Sequence, residues 1–350
     1  MDLPARLDIY VPDDVAKLIR DDGMLFEFFK ADNVTLNQND FLTELLCGYY
    51  TKYVDENNAY LTKLQKRISS YVHDDDAANA LADTILKEII FPEYTSKERK
   101  NISCLRLKRT KKLQEEFDAV PYEALGGESI SKYFRNILIS YSKKPLSKRE
   151  EIIFADTYNA LKEACEKNRH LDIVLSFSSG KVHHVIPYCV VTGYEDMFNY
   201  LLCEEIDQRK GSSKVMTFRI NRISSLARSK GSGPVSAPAK ENLDRMLHLS
   251  PQYAFNNDKQ ICVRMNADGK DLFRKIYHGR PSPVDVKKDG DWFRFCFNCS
   301  IAQASLYFRK FEQDTIEIVE PEELKADLTR FYQKAVVPLH LQVPDNAREE

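Results

Sequence analysis

The sequence predicts an α+β protein of several domains: a helical N-terminal region carrying isolated strands, a small β-barrel, and an open sheet covered by helices on one face. Three observations predict it. The chain has 350 residues, enough at about 100–200 per domain for two or three cores. Up to residue 168 the apolar residues recur mainly at spacings of three and four, broken by two short alternating stretches. From Arg169 onward the period falls to two, first in short strands separated by turns and then in strands that alternate with helices.

Composition narrows the function. Lys and Arg number 51 against 53 Asp and Glu, a net charge of −2, with 30% charged and 43% hydrophobic residues. These values describe an ordinary globular chain and exclude a globally basic nucleic-acid binder. A local basic face remains open, because a phosphate backbone senses charge within a Debye length of about 8 Å. No apolar run approaches the ~18 residues of a membrane span, and Met1-Asp2-Leu3-Pro4 lacks the start of a signal peptide. A cytoplasmic protein with no membrane partner is expected.

The eight cysteines, scattered at 47, 104, 165, 189, 203, 262, 296 and 299, are expected to be free thiols packed as small hydrophobes. Cys296-Phe297-Asn298-Cys299 has no second ligand pair, so it reads as strand rather than zinc site. His183-His184 and Asp74 to Asp76 are discounted as metal sites, since adjacent strand residues face opposite ways and the aspartates suit a helix start.

Leu7, Ile9 and Val11 alternate with polar residues as in a strand with one buried face. Pro12 ends it; Asp13 and Asp14 suit the positive end of a following helix, with Val15, Leu18 and Ile19 as its stripe. A second helix after Thr35 to Asn39 carries Phe41, Leu42, Leu45, Leu46, Tyr49 and Tyr50. Residues 60 to 94 also read as helical, through Leu61, Leu64, Ile68, Leu81, Ile85, Leu86 and Ile89. The first pattern then recurs: Leu105 and Leu107 in a strand, Leu113 and Phe117 in a short helix, a break at Gly126-Gly127, and a helix capped by Ser129. From Phe41 to Tyr133, Leu45 to Ile137 and Tyr49 to Tyr141 the offset is constant at 92.

A strand followed by two amphipathic helices resembles the ribbon-helix-helix fold, in which two such units, here about 5–55 and 102–145, pair their strands into one ribbon. A lone strand has no partner, so the second copy comes either from a second chain, making a homodimer, or from the repeat in this one. The second unit is basic, with Lys97, Arg99, Lys100, Arg106, Lys108, Arg109, Lys111 and Lys112 in sixteen residues. Alternation groups Arg106 and Lys108 on the polar side of the strand, and with Arg109 they form a candidate nucleic-acid contact. The region 1–145 is followed by a connecting helix over 146–168.

Residues 169–229 read as a small β-barrel: Leu171 to Phe177, a turn at Ser178-Ser179-Gly180, Lys181 to Val191, Phe198 to Cys203, a polar loop at 204–214, and Met216 to Ile223. The succession resembles the WYL domain, a barrel of Sm/SH3 type found in bacterial regulators. His184 stands three residues before Pro187-Tyr188 where the family carries a basic residue, Asn199-Tyr200-Leu201 occupies the name-giving Trp-Tyr-Leu, and Phe218-Arg219-Ile220-Asn221-Arg222-Ile223 matches Phe-Arg-Leu-Asp-Arg-Ile. Asn199 replaces the tryptophan, and His184 the commoner arginine. After a linker over 230–257, residues 258–340 resemble the WCX extension that follows such domains, with Trp292 in its tryptophan strand and Glu320-Pro321 to Leu324 opening the last helix.

The resemblance implies a sensor cleft of basic and aromatic side chains. Arg219 would offer a planar fork to phosphate, Arg222 and His184 further donors, and Tyr188 and Tyr200 faces for base stacking. The alternative makes the tyrosines core and pairs the arginines with acids such as Glu204 and Glu205. Arg219 and Arg222 beside His184 would disfavour its charged form until phosphate binds. With this front module, the chain is similar to the WYL accessory proteins of type VI-D RNA-targeting CRISPR systems, which implies binding of single-stranded RNA, or DNA, and modulation of an RNA-guided nuclease. The other reading is a dimeric DNA-binding repressor with a ligand-sensing WYL domain. No Gly-rich phosphate loop, GxSxG or HExxH occurs, so neither enzymatic activity nor a cofactor is expected.

Overall fold

The computed structural model describes residues 1–85, 101–121, 128–176, 178, 180–207, 209–249, 251–256, 260–312 and 314–336. Leu86, Ile89, Lys97, Arg99, Lys100, Gly126, Gly127, Phe177 and Ser179 lie outside the described residues. The chain divides into two units, Met1–Tyr158 and Asn159–Glu350.

In the first unit β1 (Arg6–Pro12), α1 (Asp13–Leu25), α2 (Gln38–Ser69) and α3 (Asp75–Ile85) precede β2 (Ile102–Lys108), α4 (Lys111–Asp118), α5 (Ile130–Ser142) and α6 (Leu146–Ile153), with α7 (Ala155–Glu166) crossing the boundary. β1 pairs antiparallel with β2 of the same chain, from Arg6 opposite Lys108 to Pro12 opposite Ile102. The choice between ribbons falls on the intramolecular one, and the homodimer loses the unpaired strand on which it was argued. Ile9, Val11, Leu105 and Leu107 turn inward and are buried, as period-2 alternation requires. Thr110 and Ser129 cap α4 and α5, accepting from the backbone N–H of Leu113 and Lys132. α1 and α4 begin 98 residues apart, whereas the second helices align at 92, because α4 runs 8 residues against 13 in α1.

In this unit's core Tyr49 of α2 packs on Tyr141 of α5, and Tyr50 on Phe117 of α4, which meets Phe134, while Phe41 packs against Phe26 and Phe28. A Cβ at Gly48 would lie 2.3 Å from the Ile152 carbonyl oxygen, so α6 crosses α2 where only glycine fits. Asp22, 2% exposed, accepts from Tyr141 Oη at 2.8 Å and from Arg149 Nε at 2.7 Å. That buried charge is therefore both paired and hydrogen-bonded.

The second unit holds two antiparallel sheets. The first comprises β3 (Arg169–Leu175), β4 (Val182–Thr192), β5 (Asn199–Asp207), β6 (Ser212–Arg219) and, after a single 3-10 turn at Ile220–Arg222, β7 (Ile223–Ser232), in the order β6-β5-β4-β3-β7. Among the described residues β6 does not pair with β7, so this is an open five-stranded sheet rather than the closed barrel expected. The outer rim of β7 pairs with no strand among the described residues; most of β7 lies within the span expected for the barrel, where sequence reading placed no strand beyond Ile223, and only its end reaches the expected linker. The stretch read as a linker over 230–257 also contains α8 (Ala237–Leu249), whose Ala239, Leu243 and Met246 pack on Leu202 and Val215 of the sheet.

The second sheet has the order β11-β8-β10-β9, from β8 (Ile261–Met265), β9 (Pro283–Asp289), β10 (Trp292–Phe297) and β11 (Ile316–Glu320). Its helices α9 (Ala267–Lys275), α10 (Ile301–Phe308) and α11 (Glu322–Val336) enclose a core of Phe273, Phe295, Phe297, Tyr307, Phe308 and Leu324. Register sets Cys262 directly opposite Cys296, and the two form a disulfide. This corrects the expectation of eight free thiols, which holds for the other six. No helix among the described residues is long and apolar enough to cross a membrane.

Candidate nucleic-acid interface

Strand pairing decides which of the expected cleft residues can meet. Asp172 lies opposite His184 and Val185 opposite Glu205, while Tyr200 lies opposite Arg219. Glu205 and Tyr200 are five positions apart on β5, about 17 Å at ~3.4 Å per residue. His184 therefore sits at one end of the sheet and Tyr200 with Arg219 at the other, so they do not form one cleft. Tyr188, at a bulge of β4, lies between them beneath α8, where its hydroxyl donates to Asp244 Oδ1 at 2.6 Å. Arg222 is exposed on the 3-10 turn after β6.

The distant end is built for packing. The Tyr200 ring is 8% exposed and its hydroxyl donates to Asp196. Gly193 is needed in the same turn, since a Cβ there would lie 2.3 Å from Asp196 Oδ1 and 3.1 Å from the Tyr200 ring. The Arg219 guanidinium lies 3.1 Å from the centroid of Phe198, a cation–π contact. His184 has Asp172 as its charged neighbour, Nδ1 to Oδ1 2.7 Å; the arginines expected beside it are elsewhere. Glu204 accepts from Ser213 and Ser236, not from an arginine.

The near end opens into a pocket of about 810 Å³ lined by Lys181, Val182, His184, Glu205, Ile206, Asp207, Arg209, Lys210, Ser212, Ser213 and Lys214. Four permanent cations and one histidine face two acids, and both acids are engaged by the protein. Asp207 Oδ1 accepts from the backbone N–H of Arg209 and Lys210, at 3.0 and 3.2 Å, and its carbonyl from that of Gly211 at 2.9 Å. Gly211 completes this turn at φ +62°, a conformation glycine adopts without strain. The turn leaves Arg209 and Lys210 exposed at the pocket mouth.

Glu205 is ringed by His183 Nδ1 at 2.6 Å, Lys214 Nζ at 3.3 Å and Lys181 Nζ at 4.0 Å. Burial alone would raise its carboxyl, but the hydrogen bond with His183 and the charge of Lys214 outweigh burial and hold it below its ordinary value. The pocket thus keeps a positive surplus toward solvent, set in a concave wall that concentrates its field on an anion. His183 and His184 do face opposite ways, one to Glu205 and one to Asp172.

Sequence reading picked out only His184 among these lining residues. The others come from a strand start and a hairpin loop that read as merely polar; the usable signal was Asp207 followed by Arg209-Lys210-Gly211, an Asx turn bearing two bases.

The ribbon is the second basic surface. Arg6, Arg106 and Lys108 stand exposed on its outer face beside Tyr10, which is 55% exposed. Asp8 lies among them, 3.6 Å from Arg6 and 3.8 Å from Arg106. Arg109 is not part of that face: its Nη1 donates to Asp2 Oδ1 at 2.9 Å and to the Leu3 carbonyl at 2.7 Å.

These features describe an α+β protein with N-terminal helices and antiparallel sheets. The same fold occurs in a solved structure described as a CRISPR Cas-related protein, with a TM-score of 0.64, 18% identity and coverage of 100% of this chain and 96% of that one. Proteasome accessory factor B/C of Arthrobacter aurescens aligns at a TM-score of 0.27 and 14% identity over 68% of this chain and 37% of its own, a likeness too slight to argue from. No family model and no curated protein matches the chain.

Proposed function

We propose that this protein is a non-enzymatic, nucleic-acid-binding regulator whose basic pocket holds single-stranded RNA, and that it modulates an RNA-guided, RNA-targeting CRISPR nuclease. The observation that carries the reading is the pocket with Lys181, His184, Arg209, Lys210 and Lys214 on its wall. At about 810 Å³ it falls within the roughly 300–1,000 Å³ of small-molecule sites. It admits a short stretch of one strand and excludes a duplex. Among the described residues no Phe, Tyr or Trp lines it, so contact is chiefly with phosphate and sugar rather than by stacking, and binding is sequence-tolerant. Ser212 on the pocket wall supplies a partner for a 2′-hydroxyl, the group that separates RNA from DNA.

The strand order, the 3-10 turn before β7 and the three matched motifs support reading residues 169–229 as a WYL domain and 258–340 as its WCX extension. The two strand–helix–helix units with their shared ribbon support a ribbon-helix-helix front. The fold in common with a CRISPR Cas-related protein over the whole chain supports the nuclease as the regulated partner. One observation favours the second reading, an operator-binding repressor: the ribbon turns Arg6, Arg106 and Lys108 outward, as a major-groove ribbon would. Filter binding with labelled single-stranded RNA, single-stranded DNA and duplex DNA separates the two. Single-stranded RNA should bind at least tenfold tighter than duplex; a duplex preference would replace the first reading by the second.

A further inference from the structure

The Tyr277 ring is 76% exposed, yet the turn that carries it after α9 is tied down at every residue. The Tyr277 carbonyl accepts from the Arg280 N–H at 3.2 Å, closing a turn over Tyr277–Arg280. Gly279 takes a φ of +75° in it, which glycine adopts without strain. The His278 carbonyl accepts from Lys310 Nζ at 3.3 Å. Gly279 gives its N–H to Oε2 of Glu195, between β4 and β5, at 2.7 Å and takes Gln303 Nε2 on its carbonyl at 3.3 Å. Arg280 Nη1 donates to the carbonyls of Phe273 and Arg274 at 3.3 and 3.4 Å. The turn thus directs its polar groups into the protein and leaves one aromatic ring in solvent, already ordered for a contact.

The surface beside the ring is cationic. Arg274, Lys275, Arg280 and Lys310 are all exposed. Of the acids here, Asp271 is engaged by Arg274 at 3.8 Å, and Glu195 by the Gly279 N–H and by His278 at 3.6 Å. Lys275, Arg280 and Lys310 therefore keep their charge for a ligand. An aromatic anchor for a protein sits in a desolvated pocket, whereas Tyr277 stands among charges. A nucleobase with its flanking phosphates fits that chemistry: every base offers a π-face to an aromatic ring, and cations hold the backbone on either side.

We infer that the Tyr277–Arg280 turn is a second contact for the single strand held by the basic pocket, with Tyr277 stacked on one base and Lys275, Arg280 and Lys310 on neighbouring phosphates. The inference rests on the reading of this protein as a single-strand binder. It adds what the pocket lacks, since the pocket contacts chiefly phosphate and sugar and the turn contacts a base. β4 runs from Val182 at the pocket to Thr192, shortly before Glu195, a length of about 34 Å at ~3.4 Å per residue. The two contacts therefore engage different nucleotides of one strand.

The amides of Gly279 and Arg280 are already bonded within the protein, so stacking is read by affinity rather than by amide exchange. Fluorescence anisotropy compares an oligouridine RNA of about 20 nucleotides, longer than the site of one small binding fold, with an abasic strand of the same length. The unmodified protein should bind the base-bearing strand about five- to a hundredfold tighter, the scale of one stacked base. Tyr277→Ala should remove that preference and leave the abasic affinity unchanged, whereas Tyr277→Phe should keep it. Lys275→Ala/Lys310→Ala should weaken both strands alike and make the slope of log K against log salt shallower by about 1.4, at ~0.7 per phosphate contact. These side chains are exposed, so circular dichroism should be unchanged. Equal binding of the two strands by the unmodified protein, or a preference that survives in Tyr277→Ala, would overturn the inference and leave the pocket reading intact. Failure to bind either strand would overturn that reading and the inference with it.

Discussion

The ribbon and the pocket are both basic, yet they are built from opposite materials. On the ribbon, Arg6, Arg106 and Lys108 stand on the exposed face of a two-stranded sheet with Asp8 among them. In the pocket, the bases line a concave wall and the acids are already spent, Asp207 on its own turn and Glu205 on His183 and Lys214. Counting bases favours the second strand unit, which is where the sequence pattern pointed. After local pairing, however, the two surfaces keep about the same positive surplus, and what distinguishes the pocket is its concave wall, which concentrates that surplus on one anion.

The comparison breaks most sharply under substitution. Replacing Lys181, Arg209, Lys210 and Lys214 together with Ala should weaken single-stranded RNA binding about a hundredfold or more in moderate salt. It should also make the slope of log K against log salt shallower by roughly 2 to 3, at about 0.7 per lost phosphate contact. Replacing Arg6, Arg106 and Lys108 should change affinity about threefold or less, as for contacts to one flexible phosphate run at the rim. Fluorescence anisotropy across a salt series reads both; a larger loss from the ribbon set reverses the assignment.

A second, more drastic perturbation separates the regions through folding. Asp22→Ala leaves Arg149 and Tyr141 without their buried partner and should destabilise the first unit by about 3–5 kcal/mol, the usual range for breaking a buried pair. If the pocket is the RNA site, a destabilised first unit should coexist with near-native RNA affinity, measured as a lowered thermal midpoint beside an unchanged binding isotherm.

Smaller effects test individual side chains. Tyr200→Phe should cost about 1 kcal/mol of stability, one buried hydrogen bond to Asp196, and leave RNA affinity unchanged; a stacking role would spare the Phe variant and appear only in Tyr200→Ala. His184→Ala should weaken binding a few fold, as loss of one donor among several does.

The pH dependence of Glu205 is the smallest effect. Its carboxyl is held below the ordinary value, so its contribution is present above the unfolded value of about 4.3 and disappears as pH falls through the folded one. That contribution should stay under about 1 kcal/mol. Protonation also removes a negative charge from the pocket, so RNA binding should tighten as stability declines. Glu205→Gln should reproduce both changes at neutral pH.

Much of the architecture was legible because burial writes itself into periodicity. Leu7-Ile9-Val11 and Leu105-Leu107 announced the ribbon, and the 92-residue offset announced its helices. β9 was missed because its valines are exposed and interleaved with charges, so no buried face marked it. α8 was missed because it follows a Gly/Ser/Pro run, and its stripe of Ala239, Leu243 and Met246 is only three residues. The disulfide joins cysteines 34 residues apart, a pairing that only strand register reveals. In the candidate site, motif matching found His184 but grouped it with Tyr200 and Arg219. Sequence order carries no information about the distance between two ends of one strand. The pocket cations escaped notice because they come from 181 and from 209–214, separate stretches that the β4–β5–β6 pairing brings together.

Amide hydrogen exchange of the full chain with and without a single-stranded RNA oligonucleotide tests the central claim most directly. The account predicts that new protection concentrates at residues 181–184 and 205–214, with β1 and β2 unchanged. Protection concentrated at residues 6–12 and 102–108, with none around the pocket, would contradict it.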